Sequence, residues 1–376
     1  MTELRDPAAL LAELIAFPTQ QAGPDRGAGD ELALCRHLAP RLTRAGAHVE
    51  IVPTNRGSGE PGAYLFARWG RPRRIINAHI DTVPANTGWS RDPWTPTRVG
   101  DRLYGLGSAD TKGAIAAAVI AAERGQPQDL GLLFSGDEEH GTACVQAFLA
   151  SPAARDVEVA VVCEPTGRRA GLAHRGVLAS RATLRGAGGH SSKADHLPRP
   201  VPQLARLAVA LDERGLARRQ DGPADMKGLC LNVAGLTGGV AFNVVPSAAE
   251  LTWSLRPWHG FATAAWHAEV EGLARAIDPG IEVAQILDHE PFRCLRPELF
   301  HQLLAGHVQE FGTLDFWTEA ALYAAHGIHA VVVGPGDIAQ AHTADEWVAL
   351  DDLDWAVGLF ADVMTRPLPA PSHEPP

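Results

Sequence analysis

The sequence predicts an α/β domain, a mixed sheet flanked by helices, into which a smaller α+β domain of ferredoxin-like order is inserted. Three observations carry this. Short apolar runs alternate with helical periods in the first half and again after Pro291, as strands covered on both faces do. From about Arg175 to His289 the strands alternate apolar and polar residues instead, in the order β-α-β-β-α-β. The length, 376 residues, exceeds what one core ordinarily holds.

Residues 29–46 place Leu32, Leu34, Cys35, Leu38 and Leu42 at near-helical spacing and stop at Gly46. Strand-like runs follow at 48–53, 63–68 and 74–79. Residues 111–123 read as an alanine-rich buried helix, and 130–135 and 157–163 as buried strands. The inserted segment reads as strand 177–185, helix 199–215, strands 229–236 and 250–256, helix 261–277 and strand 281–287. A helix at 297–310, a buried strand at 330–333 and a last helix from Asp351 complete the larger domain. The expected division is therefore 1–175 with 290–365, an insert of 176–289, and a proline-rich, disordered tail at 366–376.

With 45 % hydrophobic and 20 % charged residues the composition is that of a soluble globular chain. The net charge of −11 argues against nucleic acid, whose phosphates need a basic face. Arg71, Arg73 and Arg74 are the only tight basic cluster and read as a solvated strand edge. Residues 1–20 carry Glu3, Asp6, Pro7 and Glu13 and no unbroken apolar stretch, so no signal peptide is expected. No window reaches the ~18–20 apolar residues of a membrane span either. Five scattered cysteines without a CxxC suggest reduced thiols and the cytoplasm. Dinucleotide, Walker and GxSxG patterns are absent.

Five stretches place metal-compatible side chains just after apolar runs, where sites form in open α/β sheets. They are His79 and Asp81 in NAHIDTVP, Asp110 in GLGSADTKG, Glu138 and Glu139 in SGDEEHG, Glu164 in VVCEPT, and His342 in GPGDIAQAHTADE. His79 and Asp81, two apart on a strand, point the same way, so Asp81 can orient the imidazole. Taken singly each stretch also has a structural reading: a lone HxD is commonly structural, and a Glu pair is commonly solvated. Together they are different, because three carboxylates buried without cations would cost several kcal/mol each. Two divalent ions remove that difficulty.

In order and spacing these stretches resemble the zinc aminoacylase, carboxypeptidase G and desuccinylase metallohydrolase family, across residues 5–365. The resemblance implies His79 on one metal and His342 on the other, with Asp110 bridging, Glu164 completing the first site and Glu139 the second. It implies Glu138 as general base, Asp81 behind His79, and a cis peptide bond between Asp110 and Thr111. In GAGGHSS, His190 would reach the neighbouring subunit's active site and stabilise an oxyanion; as a bare motif it is a turn histidine. Asn243, Arg256 and Arg175 match positions that hold a substrate carboxylate, although surface ion pairing is the alternative for both arginines.

The implied chemistry is amide hydrolysis by a homodimer with two divalent ions, zinc first, cobalt or manganese as substitutes. Within the family the C-terminal segment most resembles acetylornithine and acetylcitrulline deacetylases. That makes N-acetyl-L-ornithine, in arginine biosynthesis, the first expected substrate, with N-acetyl-L-citrulline, a dipeptide or a succinylated amine as alternatives. Glu319 in TEA would receive the distal cation of ornithine or the ureido hydrogens of citrulline. A non-catalytic metal-binding protein is disfavoured, because neither Glu138 nor any ligand is missing.

Overall fold

The computed structural model describes residues 6–22, 29–56 and 59–368; residues 369–376 of the tail lie outside the described residues. The chain divides into two compact units. One comprises Met1–Leu172, Cys294–Gly312 and Thr318–Pro376, the other Ala173–Arg293 and Thr313–Trp317.

The first unit is built on a mixed sheet. Its strands lie in the order His48–Asn55, Pro61–Trp69, Leu130–Ser135, Arg74–His79, Val159–Val162, His329–Val332 and Ala170–His174. The run from Leu130–Ser135 to His329–Val332 is parallel, and the flanking strands are antiparallel. Every residue of Leu130–Ser135, Arg74–His79 and Val159–Val162 is buried. A parallel strand covered on both faces has no solvent side, which is why these stretches are almost uninterrupted apolar runs. The one amide among them, Asn77, donates from Nδ2 to the Leu133 carbonyl and to Ser135 Oγ at 2.9 Å.

Helix Lys112–Arg124 is buried from Lys112 through Ala122, and its alanines, beside Ile115, Val119 and Ile120, let neighbouring elements pack closely around it. It shares a core with Leu353, Val357 and Phe360 of the last helix, Leu350–Thr365, and with Leu10, Leu11 and Leu14 of the first, Pro7–Ile15. That first helix is capped by Asp6, whose carboxylate accepts from the Ala8 amide, with Pro7 opening the first turn.

Three readings of the sequence need correction. The arginine cluster is not uniformly a solvated edge. Arg71 and Arg73 pair with Asp156 and Glu158 near the surface, whereas Arg74 is buried and donates to the carbonyls of Val363 and Arg366. It thereby satisfies carbonyls that the end of the last helix leaves free. Helix Pro297–Leu303 is shorter than expected and gives way to a turn at Gly306, whose φ of 86° lies in the left-handed region. In the tail, Arg366 is fixed by Asp362 and by the Gln302 and Leu303 carbonyls.

The second unit holds a four-stranded antiparallel sheet in the order Asn232–Gly238, Ala248–Leu255, Val177–Arg185, Glu282–His289. Its two central strands bury alternate residues, and Leu204, Leu207 and Leu211 of helix Pro200–Ala217 and Trp266, Val270 and Ala274 of helix Thr263–Ile277 complete that core. All five cysteines are free thiols, and no helix among the described residues is long and apolar enough to cross a membrane.

Gly113 tests the closeness of the alanine helix. A Cβ there would stand 2.5 Å from the Ser108 carbonyl oxygen. Helix propensity alone would make Gly113→Ala stabilising by about 1 kcal/mol. The clash should reverse the sign, giving a loss of ~1–3 kcal/mol in urea denaturation. A variant as stable as the parent would show that the loop at Ser108 yields freely.

Candidate metal centre

Three neighbouring parallel strands end on the same edge of the sheet, and each delivers acidic or imidazole groups there. His79 is the last residue of its strand; Glu138 and Glu139 follow Leu130–Ser135; Glu164 follows Val159–Val162. His342 lies in the loop after His329–Val332, and Asp110 in the loop entering the alanine helix. The Asp110–Thr111 peptide is cis.

Asp110 touches both imidazoles. His79 Nε2 donates to Asp110 Oδ1 at 2.9 Å, while His342 Nε2 stands 3.3 Å from Oδ2. His342 Nε2 also lies 3.0 Å from a Glu139 oxygen. Donor atoms of His79, Asp110 and Glu139 all fall within 4.8 Å of one another. Glu164, 6 % exposed, accepts no hydrogen bond from any described residue, and neither does the half-buried Glu138 carboxylate.

Asp81 makes further contacts besides those to His79. His79 Nδ1 donates to its backbone carbonyl at 3.0 Å, and its carboxylate lies 3.6 Å away. That carboxylate also accepts the backbone N–H groups of Glu138 and Glu139, both at 3.1 Å, and the side-chain amide of Gln21. Asp81 therefore holds the strand-to-helix turn carrying both glutamates. Gln21 in turn accepts from Arg56, which pairs with the buried Glu31 at 2.7 Å.

The charges are out of balance without cations. Burial disfavours a charged His79, yet hydrogen bonds to Asp110 and Asp81 carry its pKa well above the ordinary value. Hydrogen bonds to Asp110 and Glu139 raise His342 to about 11. Burial pushes Asp110 up, but His342 and His79 outweigh it and hold it below the usual carboxylate range. Burial raises Glu138 and Glu164 well above that range, and Glu139 moves up for the same reason with Asp110 adding to it. Protons thus supply the positive charge that the carboxylates demand. A set of two imidazoles and three carboxylates with no thiolate suits zinc, with manganese or cobalt tolerated, and the free, buried Glu164 carboxylate fits a ligand.

Glu319 is 1 % exposed and accepts from Ser135 Oγ at 2.9 Å; burial raises it to about 7. In the second unit, Arg175 is buried and gives its guanidinium to the carbonyls of Gly228, Lys227 and Arg256. Arg256 is half-buried and makes no hydrogen bond or ion pair with a described residue through its side chain; burial lowers its pKa. His190 and Asn243 are exposed near one another, with the Ser191 amide donating to the Asn243 carbonyl. His190 Nδ1 accepts from the Ser192 amide at 3.2 Å and lies 2.9 Å from Ser192 Oγ, which leaves Nε2 as the donor. Sequence reasoning missed Gln21, Ser135 and Glu346. Glu346 lay four residues beyond His342, whereas nothing local marks Gln21.

The model of Peptidase family M20/M25/M40 matches residues 75–366. The chain belongs to that family. It is 36 % identical over 361 residues to an N-acetyl-L-citrulline deacetylase of Xanthomonas campestris pv. campestris, covering 91 % of this chain and 93 % of the relative. It is 29 % identical to an acetylornithine deacetylase of Proteus mirabilis, covering 90 % and 91 %. Among solved structures, an M20 family metallo-carboxypeptidase from Sulfolobus solfataricus shares the fold, with a TM-score of 0.79, 16 % identity, and coverage of 95 % and 98 %. Membership makes the chain a metal-dependent hydrolase of amide bonds with a dinuclear centre.

The raised pKa values of these imidazoles and glutamates have a measurable consequence. Ligands must lose their protons to bind a cation, so binding should release protons and apparent affinity should rise with pH. Zinc added to apo-protein in weak buffer near neutrality is expected to acidify the solution, and affinity at pH 8 to exceed that at pH 6. Binding that takes up no base and ignores pH would contradict the protonated state described above.

Proposed function

We propose that the chain removes the acetyl group from an N-acetyl amino acid, N-acetyl-L-ornithine or N-acetyl-L-citrulline, giving the free amino acid and acetate in the cytoplasm, as a step of arginine biosynthesis. The observation that carries this is the convergence of His79, Asp110, Glu139 and His342 beside two carboxylates, Glu138 and Glu164, that accept from no described residue.

In this reading His79, Glu164 and Asp110 hold one ion and His342, Glu139 and Asp110 the other. When bound, the ions supply Lewis acidity toward the amide carbonyl and lower the pKa of water. Glu138 takes the proton of the attacking water and delivers it to the departing amine nitrogen; its free carboxylate suits that shuttle. Asp81 keeps Glu138 in place through the backbone of the turn. His190, with Nε2 free to donate, stabilises the oxyanion, and Arg256 and Asn243 take the substrate carboxylate. Arg175 contributes by tying together the backbone at Gly228 and Arg256.

A specific observation favours citrulline. Glu319, expected to meet the distal cation of ornithine or the ureido hydrogens of citrulline, is buried and already bonded to Ser135. A neutral ureido side chain needs no such carboxylate, and the 36 % identical relative is an acetylcitrulline deacetylase. Assays with acetylornithine, acetylcitrulline and a dipeptide panel decide the matter. The expected result is turnover of acetylcitrulline with the highest kcat/KM; turnover of dipeptides alone would refute a deacetylase. Glu138→Gln should retain its metal and lose ~10²–10⁴ in kcat. Equal loss of metal would make Glu138 a ligand.

We further propose that residues 176–289 form a ferredoxin-like lid and dimerisation domain distinct from 1–175 with 290–365, and that the enzyme works as a homodimer. Support comes from its sheet edges, where Leu236 and Ile286 are exposed, and from the fully exposed Phe242. Such edges are ordinarily covered, and a two-fold pairing would cover them. Mixing His190→Ala with Glu138→Gln subunits should partly restore activity, because one site of a mixed dimer then carries neither defect. No rescue despite verified subunit exchange would place His190 at its own chain's site.

A further inference from the structure

Glu346 has no part in the chemistry above, yet it is a buried carboxylate on the loop that carries His342. It is 1 % exposed. Its Oε1 accepts the backbone N–H groups of Ala109 and Asp110, at 2.8 and 3.1 Å, and its Oε2 that of Gly107 at 2.8 Å. Its own carbonyl accepts from the Gly105 amide at 3.0 Å. One residue therefore ties down four amides of the six-residue segment that ends in Asp110.

The surroundings make this a connection between two ligand-bearing loops. Strands Arg102–Tyr104 and Trp347–Ala349 pair antiparallel, with Tyr104 opposite Trp347. From that pair one chain leads out toward Asp110 and the other leads in from His342. Gly107, at φ 80°, lets its amide turn toward the carboxylate. No cation forms a salt bridge with Glu346 among the described residues; the nearby buried Lys112 donates to the Phe17 carbonyl at 2.9 Å. Burial and the nearby Asp110 push the Glu346 carboxyl up to about 8, and the three amides pull the other way, because hydrogen bonds from N–H donors favour the ionised acceptor.

We infer that Glu346 is a positioning residue that clamps the Asp110 loop to the His342 loop and so sets the spacing of the two groups of metal donors. This rests on the two-metal reading proposed above. Glutamine cannot replace it, because its NH₂ would face an N–H donor.

The test compares Glu346→Gln with the parent and with Glu123→Gln, which breaks the partly buried Arg41–Glu123 pair remote from the site. Each apo-protein is titrated with cobalt(II), following visible absorption and stoichiometry, and its metal-free thermal midpoint is measured. The parent is expected to take up two ions. Glu346→Gln should hold the weaker ion 10–100-fold less tightly, the range for lost partners of ligands, with an altered absorption band. Glu123→Gln should lower the midpoint and keep the parent's cobalt affinities. If Glu346→Gln does not fold, Glu346→Asp, whose carboxylate is one methylene short, should show the same weakening to a smaller degree. A parent that binds no cobalt overturns the metal reading and this inference with it. Parent-like cobalt binding by the folded Glu346 variant overturns the inference alone, as does equal weakening in Glu123→Gln.

Discussion

Carboxyl groups held out of water govern this molecule. Asp81, Asp110, Glu164, Glu319 and Glu346 are each at most 6 % exposed, and they lie along one edge of one sheet. Burying an ion costs several kcal/mol unless partners replace the water it loses. The rest of the site can be understood as the supply of those partners. Backbone amides serve Asp81 and Glu346, the Ser135 hydroxyl serves Glu319, and imidazoles serve Asp110. Glu164 and Glu138 receive no hydrogen bond at their carboxylates from any described residue, and that imbalance suits the cluster to a cation.

The fold makes this arrangement affordable through rigidity beneath it. Fully buried parallel strands, held on one side by an alanine helix without a free face, leave their ends little room to shift. Loops leaving those ends can then be long and irregular without losing precision, because acidic side chains take over from strands as organisers. Asp81 does this for the Glu138–Glu139 turn and Arg74 does the analogous work for the end of the last helix, at the opposite end of the same strand.

What was legible in the sequence follows from the same physics. Strands Leu130–Ser135 and Val177–Arg185 were readable to the residue, one as a solid apolar run and the other by strict alternation, because burial on two faces or one leaves those signatures. The metal-compatible residues stood out because each polar group follows an apolar run. Arg74 was misread since nothing local distinguishes a buried guanidinium from the exposed ones at Arg71 and Arg73. The strands Thr97–Val99, Arg102–Tyr104 and Trp347–Ala349 went unseen because three residues carry no period. Gln21 and Glu346 were missed for a deeper reason, although Glu346 lies close to His342: their partners are 60 and more than 230 residues away, and only the folded chain brings them together.

The cluster is also lopsided toward solvent. The His342 side chain is 52 % exposed, whereas those of Asp110, Glu139 and His79 are at most 7 % exposed. A chelator approaching this unit meets one imidazole long before it meets the other. In the two-metal reading proposed above, demetallation would have a direction, beginning at the His342 end and leaving the His79 side until last, so the two halves of one centre would differ in their exchange kinetics even where their equilibrium affinities agree.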